Sequence, residues 1–325
     1  MRIATRLAGL VATVVLVSML TFLLTQLIPG NPVVAVLGSA YDNGTAEGKA
    51  QIAVVRKELG LDKSLPVRYF DWAKKAVTGD LGRSIGANSG GIRTTRLLKE
   101  RLPVTLEIMI LTQLLSIALA VPIGVWSAYR SGKVADHIIT WGTFGVVALP
   151  AFVLALILVY AFSVKIHWLP SAGYTRLSDG LAANLKSMVI PVVTLSLGLA
   201  AVYARLIRSE MVATLQEDYI LMANAKGLPP RKVLFGHALK PSSFSLLTVI
   251  GINIGTLIGG EVIVEFLMSI PGVGGALVDA VGRREYALVL GFVLVITVFF
   301  VGANFIVELL YSYLDPRIRR GSARA

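Results

Sequence analysis

Six stretches of this chain run for 17 to 26 residues without one Asp, Glu, Lys or Arg. They are Leu7–Ile28, Ile108–Tyr129, Ile138–Ser163, Met188–Ala204, Ser242–Gly260 and Ala287–Val307. No other property of the sequence limits the fold as severely. A bilayer core about 30 Å thick is crossed by roughly 20 apolar residues of helix. A soluble domain would have to cover such runs with a polar shell, and this chain has none to spare. Only 15% of its 325 residues are charged and 55% are hydrophobic, with a mean hydropathy of +0.74, whereas soluble domains average about 25% charged. The expected fold is therefore an all-α integral membrane protein with six transmembrane helices. Pro122, Pro150 and Pro191 fall inside the runs, which is tolerated where neighbouring helices take up the freed carbonyls. Met188–Ala204 is the shortest run, and Arg205 and Arg208 at its end can snorkel to the interface.

Six spans place both termini on one side of the membrane, and the basic residues say which. With the termini in the cytoplasm, the inner segments carry 14 Lys and Arg, and the short outer loops carry five (Lys165, Arg176, Lys186, Arg283 and Arg284). The positive-inside rule favours that orientation. The long loop after the first span holds 12 more, but loops beyond about 60 residues escape the rule. The net charge of +12 thus reflects membrane topology rather than a nucleic-acid surface. The first run is too long for a signal peptide, whose apolar region spans about 7–15 residues, so it is expected to stay as residues 1–29. Cysteine is absent, which excludes disulfides and thiolate sites. His137, His167 and His237 show no metal-ligand spacing.

Residues 30–103 form an external region of mixed character. Its tip, Gly38–Gly48, is rich in Gly, Asn and Asp, whereas Gln51–Leu59 and Val67–Val77 show helical apolar spacing. A five-helix core over 104–314 and a basic tail over 315–325 complete the organisation.

The most informative segment is the loop of 33 residues between the fourth and fifth runs, 209–241. Asp218 can cap a short helix over Tyr219–Lys226. Lys226 suits its negative C-terminal end. Gly227 can take the left-handed position beyond it, and Pro229 and Pro230 stop it. Pro230 can start a second short helix through Leu239. The pattern describes a helix–turn–helix elbow at the membrane surface, with small side chains (Ala223, Ala225, Gly227) where another protein can approach. A plain basic connector is the alternative, but connectors are usually about 4–6 residues.

This segment resembles the EAA-type coupling loop of bacterial ABC-importer permeases, in which a small residue stands four positions before a Gly, here Ala223 and Gly227. Peptide-importer permeases read A-K-G-L and then H-A-L ten residues after the Gly. This chain has Ala225-Lys226-Gly227-Leu228 and His237-Ala238-Leu239. It departs at Lys240-Pro241-Ser242, where the family carries its proline slightly later, so the helix break is expected to move. Further segments are similar to the oligopeptide/dipeptide (OppB/DppB-like) permeases. They are IPGNPV at Ile28–Val33, LGLDKSLPVRY at Leu59–Tyr69, GDLGRS at Gly79–Ser84, LPAF at Leu149–Phe152, WLPSAG at Trp168–Gly173, FLMSIPGVGG at Phe266–Gly275 and LDPRIR at Leu314–Arg319. Each is weak alone; their order and spacing are specific.

The resemblance implies a permease-like bundle in the bacterial cytoplasmic membrane. It implies a second, homologous permease, two ABC ATPase subunits docked on coupling loops, and an extracytoplasmic substrate-binding protein. The cargo implied is an oligopeptide, with dipeptides, glutathione or nickel chelates as alternatives. Ala223, Ala225, Lys226, Gly227, Leu228 and His237 would serve ATPase coupling. The chain lacks the phosphate-binding G-x-x-x-x-G-K-[ST], so no cofactor is expected on it and ATP-Mg would sit on the partner subunits. Gly251, Gly255 and Gly259 repeat every four residues and suit close helix packing. Glu261 and Glu265, one turn apart, are candidates for a substrate gate, against the simpler reading of interfacial bonding or pairing with Arg283 or Arg284. A membrane enzyme would need H-E-x-x-H, G-x-G-D or a serine with a base, and a proton-coupled transporter would need ionisable groups at its span centres. The sequence offers neither.

Overall fold

A computed structural model describes residues 2–27, 33, 45–58, 61–84 and 91–314. Helices α1 (Arg2–Leu27), α2 (Ala46–Glu58), α3 (Leu65–Val77), α4 (Thr94–Tyr129), α5 (Val134–Ala148) and α6 (Ala151–Leu158) come first. A π-helical turn, Val159–Lys165, extends α6. Then follow α7 (Leu181–Thr214), α8 (Asp218–Ala225), α9 (Leu239–Leu267), α10 (Val273–Gly282) and α11 (Tyr286–Leu314). Among the described residues, five helices are long and apolar enough to cross a membrane, six if a bent pair is counted as one span. The all-helical, six-span reading holds in that form. The expected turn at Ile28–Val33 (apart from Val33), the glycine-rich tip up to Gly44 and the tail from 315 lie outside the described residues.

The bent pair corrects the third run. Instead of one helix over Ile138–Ser163, α5 and α6 meet at 100° across Leu149 and Pro150. Proline's ring disfavours helical backbone in the residue before it, and Leu149 is extended (φ −87°, ψ 124°). Elsewhere the helices outrun the apolar patterns. α4 begins 14 residues before Ile108, and α7 continues through Arg205 and Arg208 to Thr214. Polar residues past a span's end keep helical geometry when one face remains packed.

The chain divides into two compact units, 1–104 with 271–302, and 105–270 with 303–325. In the first, α3 lies on α1. Tyr69 meets Phe22 edge-on at 5.6 Å and shares a 2.9 Å hydrogen bond with Ser18, while Arg68 donates to Gln26. A second cluster gathers Leu81, Leu98, Val273, Ala276 and Phe292. There Gly291 lets the backbone approach Leu81 and Thr94, and Ser84 donates to the buried Glu285 carboxylate at 2.6 Å. The GDLGRS segment is thus a packing element that ties the external region to the start of α11.

In the second unit α7 is the hub, packed by α5, α6 and α9. Polar groups stitch its interior. Ser116 Oγ donates to the Ser196 carbonyl, Ser196 Oγ donates to the Thr112 carbonyl, and the Tyr203 hydroxyl pairs with the Gln113 carboxamide. In an apolar surround such bonds keep helices in register because breaking them strands a polar group.

Candidate functional site

The elbow is built as the residues suggest, with changes in detail. Glu217, not Asp218, is the N-cap, and Asp218 falls in the first turn of α8, where its charge still suits the positive end of the helix. The C-terminus is a complete Schellman motif. Gly227 sits at φ +75°, its N–H bonds the Asn224 carbonyl at 2.9 Å, and the Leu228 N–H bonds the Ala223 carbonyl at 3.3 Å. Only a residue comfortable in the left-handed region closes the helix this way, which is why a glycine stands there.

Pro230 starts the second arm, but that arm does not end at Leu239. A π-helical turn over Lys232–Ala238 runs straight into α9, and Pro241 sits in the third position of α9. The expected displaced helix break is therefore absent. The wider π turn re-phases the backbone ahead of the proline, whose missing N–H costs little so close to a helix start.

One side of the elbow is anchored. Ile220 is fully buried and Ala223 8% exposed, packed with Ile207, Met211, Val233, Leu234 and Ala238. Burying Ile220 stabilises the arrangement by about 2–3 kcal/mol. Thr214 Oγ1 and Ser242 Oγ share a 3.0 Å hydrogen bond that joins the two arms at their base. The other side is open. Tyr219, Leu221, Met222 and Phe235 are exposed apolar side chains, flanked by exposed Ala225, Lys226, Arg231 and Lys232. A rigid apolar patch with a basic rim is the composition of a docking surface.

The sequence-selected residues therefore separate. Ala225, Lys226 and Gly227 face outward; Leu228 and His237 are half-buried; Ala223 is small because it packs against the chain's own core.

A buried carboxylate stands behind the elbow. Asp136, in the first turn of α5, is 2% exposed. It accepts two 2.6 Å bonds from the Arg208 guanidinium, one of 2.6 Å from Ser127 and one of 2.9 Å from the Gly132 N–H. Every strong acceptor position is filled by a donor of matching geometry. Arg208 lies one turn before Met211, which packs on α8, so the cluster ties the α4–α5 turn to the helix that carries the elbow. Sequence patterning assigned Arg208 to snorkelling and passed over Asp136. Its only signal was an acidic residue next to an apolar run.

Gly251 lies against Val307 of α11, so this end of the glycine stripe packs within the chain. Gly255 and Gly259 continue along the same helix. Glu261 and Glu265 are both buried, at 1% and 0% exposure, whereas Arg283 and Arg284 are exposed. Glu265 accepts a 2.6 Å bond from Thr105, and neither Glu261 oxygen has a hydrogen-bond partner among the described residues. No three His, Cys, Asp or Glu side chains gather to hold a metal ion among the described residues.

Comparison with known proteins gives consistent matches. Residues 120–320 match the family described as binding-protein-dependent transport system inner membrane component, and residues 1–108 match its N-terminal region. The chain is 37% identical over 315 residues, 97% of each chain, to a probable peptide ABC transporter permease protein, y4tP, of Sinorhizobium fredii. It is 35% identical, again over 97% of each chain, to a putative peptide transport system permease protein of Brucella abortus. It is 34% identical, over 98% of each chain, to the di/tripeptide transport system permease protein DppB of Pseudomonas aeruginosa. Among solved structures, a chain of the MetNI methionine ABC transporter in inward-facing conformations superposes with a TM-score of 0.50 at 18% identity, covering 67% of this chain and 96% of that one. That last likeness speaks to the fold.

Proposed function

The chain belongs to the binding-protein-dependent transport system inner membrane component family, as a multi-pass ABC permease of the bacterial inner membrane, and from that premise we propose that it imports peptides as one half of an ATP-driven translocation pathway. The observation that carries the reading is the elbow, a Schellman-closed helix anchored by Ile220 and Ala223 that turns Tyr219, Leu221, Met222 and Phe235 outward. Two ABC ATPases dock on this elbow and its counterpart in a second, homologous permease. An extracytoplasmic binding protein delivers the cargo. ATP-Mg is held and hydrolysed by the ATPases, and the permease contributes no catalytic group.

The mechanism follows from rigidity. An elbow moves a span only if its joints do not yield. Here the apolar cluster beneath α8, the Thr214–Ser242 bond and the Asp136–Arg208 pair join the elbow to α7, α9 and the α4–α5 turn. Closure of the ATPase pair displaces the elbow, and these helices move with it, exchanging access between the two faces. The length of the imported peptide is the variable that uptake assays with di-, tri- and longer peptides resolve. Glu261 and Glu265 stay candidates for the path, and Gln at both positions is expected to alter uptake kinetics only if that assignment holds.

Affinity purification of the tagged chain from its native membranes tests the reading. Co-purification of ABC ATPases and a second permease is expected. Gly227→Arg, which forces a side chain into the left-handed position and onto the docking face, should deplete the ATPases. Gly227→Asn, which tolerates that backbone, should retain them. A wild-type chain that emerges alone from mild detergent would overturn the assignment.

A further inference from the structure

The two arms of the broken span, α7 and α9 enclose a cleft of about 300 Å3. Val146, Leu149 and Leu154 line it from the broken span, Leu195 and Val202 from α7 and Leu257 from α9. Two polar side chains interrupt this lining, Thr194 and Asn253.

Three observations set the cleft apart from a packing defect. First, Thr194 is 2% exposed and its hydroxyl has no hydrogen-bond partner among the described residues. A helical threonine normally returns its hydroxyl to a carbonyl three or four residues back, as Thr21 and Thr297 do here. A buried hydroxyl that does not is a group waiting for a partner. Second, the helix break at Leu149–Pro150 borders the same space. Irregular backbone inside a span is tolerated where it lines a cavity, and discontinuous helices commonly build substrate sites in transporters. Third, a Cβ placed on Gly198, a lining residue, would meet nothing within 4 Å. The α7 wall is left open at the cleft.

We propose that this cleft seats one apolar side chain of a peptide in transit, with the Thr194 hydroxyl bonding the adjacent peptide group and the Asn253 carboxamide beside it. The proposal rests on the peptide-importer reading and gives it a subsite. A lipid acyl chain needs apolar walls but no hydrogen-bond partner. A peptide residue needs both at once, an apolar seat for its side chain and donors and acceptors for its backbone. The volume is at the small end of ligand pockets, about 300–1,000 Å3, which suits a single residue of the cargo rather than the whole molecule.

The complete transporter, with its partner permease, ATPases and binding protein, is reconstituted in proteoliposomes. ATP-driven uptake of labelled Ala-Ala-Ala and Ala-Phe-Ala is then compared. Gly198→Leu fills the cleft without a clash at Cβ and without harm to the helix. It should lower Ala-Phe-Ala uptake about tenfold and leave Ala-Ala-Ala within about twofold, the scale on which a pocket discriminates by side-chain bulk. Thr194→Val keeps the shape and removes the hydroxyl. It should slow both peptides by a similar factor, and Thr194→Ser should restore them. Unchanged uptake in both Gly198→Leu and Thr194→Val overturns the proposal. So does equal loss of both peptides in Gly198→Leu together with loss of stimulated ATP hydrolysis, which would mark a coupling defect. A phospholipid retained by the wild type and absent from Gly198→Leu, with uptake intact, overturns it in favour of a lipid seat. If the wild-type complex carries neither peptide yet moves another solute, the peptide reading falls and the subsite with it.

Discussion

Pro150 and Pro191 stand in similar apolar surroundings, and the chain treats them oppositely. At Pro150 the helix ends, the chain turns by 100° and a new helix starts. At Pro191 the helix continues unbroken from Leu181 to Thr214. Both prolines remove one backbone donor and press on the preceding turn, at about 3 kcal/mol in a helix interior. The difference lies around them. Pro150 is exposed, with exposed Val147, Leu149 and Phe152 nearby. Pro191 is buried beside Ile190, in a helix that α5, α6 and α9 pack against. Packing keeps Ile190 helical against its neighbour's steric demand, while Leu149 has no such restraint and takes the extended backbone that a residue before proline prefers. A proline in an apolar run therefore marks a place where a helix can break, and the tertiary contacts decide whether it does.

The strongest way to disturb this comparison is to cut the pair that ties the broken span to α7. Asp136→Ala leaves the Arg208 guanidinium without its bidentate acceptor. It should cost about 3 kcal/mol of stability, reduced somewhat by the partial exposure of Arg208. Unfolding of the purified chain in mixed micelles measures this, and a loss below about 1 kcal/mol would show that the two spans are held by apolar packing alone.

Replacing each proline sharpens the contrast. Pro191→Ala should raise stability by about 2 kcal/mol, because it returns the missing backbone donor and removes the ring's pressure on the preceding turn, offset by less than about 1 kcal/mol of freedom gained by the unfolded chain. Pro150→Ala should relax the bend. Spin labels at Trp141 and Tyr160 would then separate toward about 28 Å, the length of straight helix between them. An unchanged distance would show that tertiary contacts, not the proline, hold the angle.

The smallest effect belongs to the loop that joins the two spans. The Tyr174 hydroxyl donates to Glu107 at 2.8 Å. Burial, and then the bond to Glu107, push its phenol up to about 12. The folded value lies above the unfolded one near 10, so the stabilisation is complete below about pH 10 and disappears as pH rises toward 12. Tyr174→Phe should cost about 1 kcal/mol at neutral pH and remove the late-titrating tyrosinate from the absorbance spectrum. If Tyr174→Phe instead removes a tyrosinate that forms near pH 10, the geometry is contradicted.

Legibility differed between the fold and the site. The spans were readable because hydrophobic runs of this length have few alternatives; of the external region's short helices, α3 was readable to within two residues, whereas α2 starts at Ala46, five residues before the apolar spacing at Gln51 shows it. The elbow's turn was readable because Gly227 followed by two prolines is a local signal with a local cause. What each elbow residue faces was not. Ala223 and Ala225 look alike in sequence, two positions apart, yet one is packed inside and the other is open. The continuation of the second arm into α9 was hidden too, because a π turn has no residue signature of its own.

The sequence by itself determined that this chain lives in a membrane, crosses it about six times and closes a short helix with a left-handed glycine, because bilayer thickness and backbone sterics act on nearest neighbours along the chain. Only the tertiary structure decided which proline bends a span, where Asp136 finds Arg208 72 positions away, and which hydroxyl is left without a partner beside a cleft. Those outcomes depend on groups distant in sequence that meet in space, and on whether a freed backbone or buried polar atom finds a partner there.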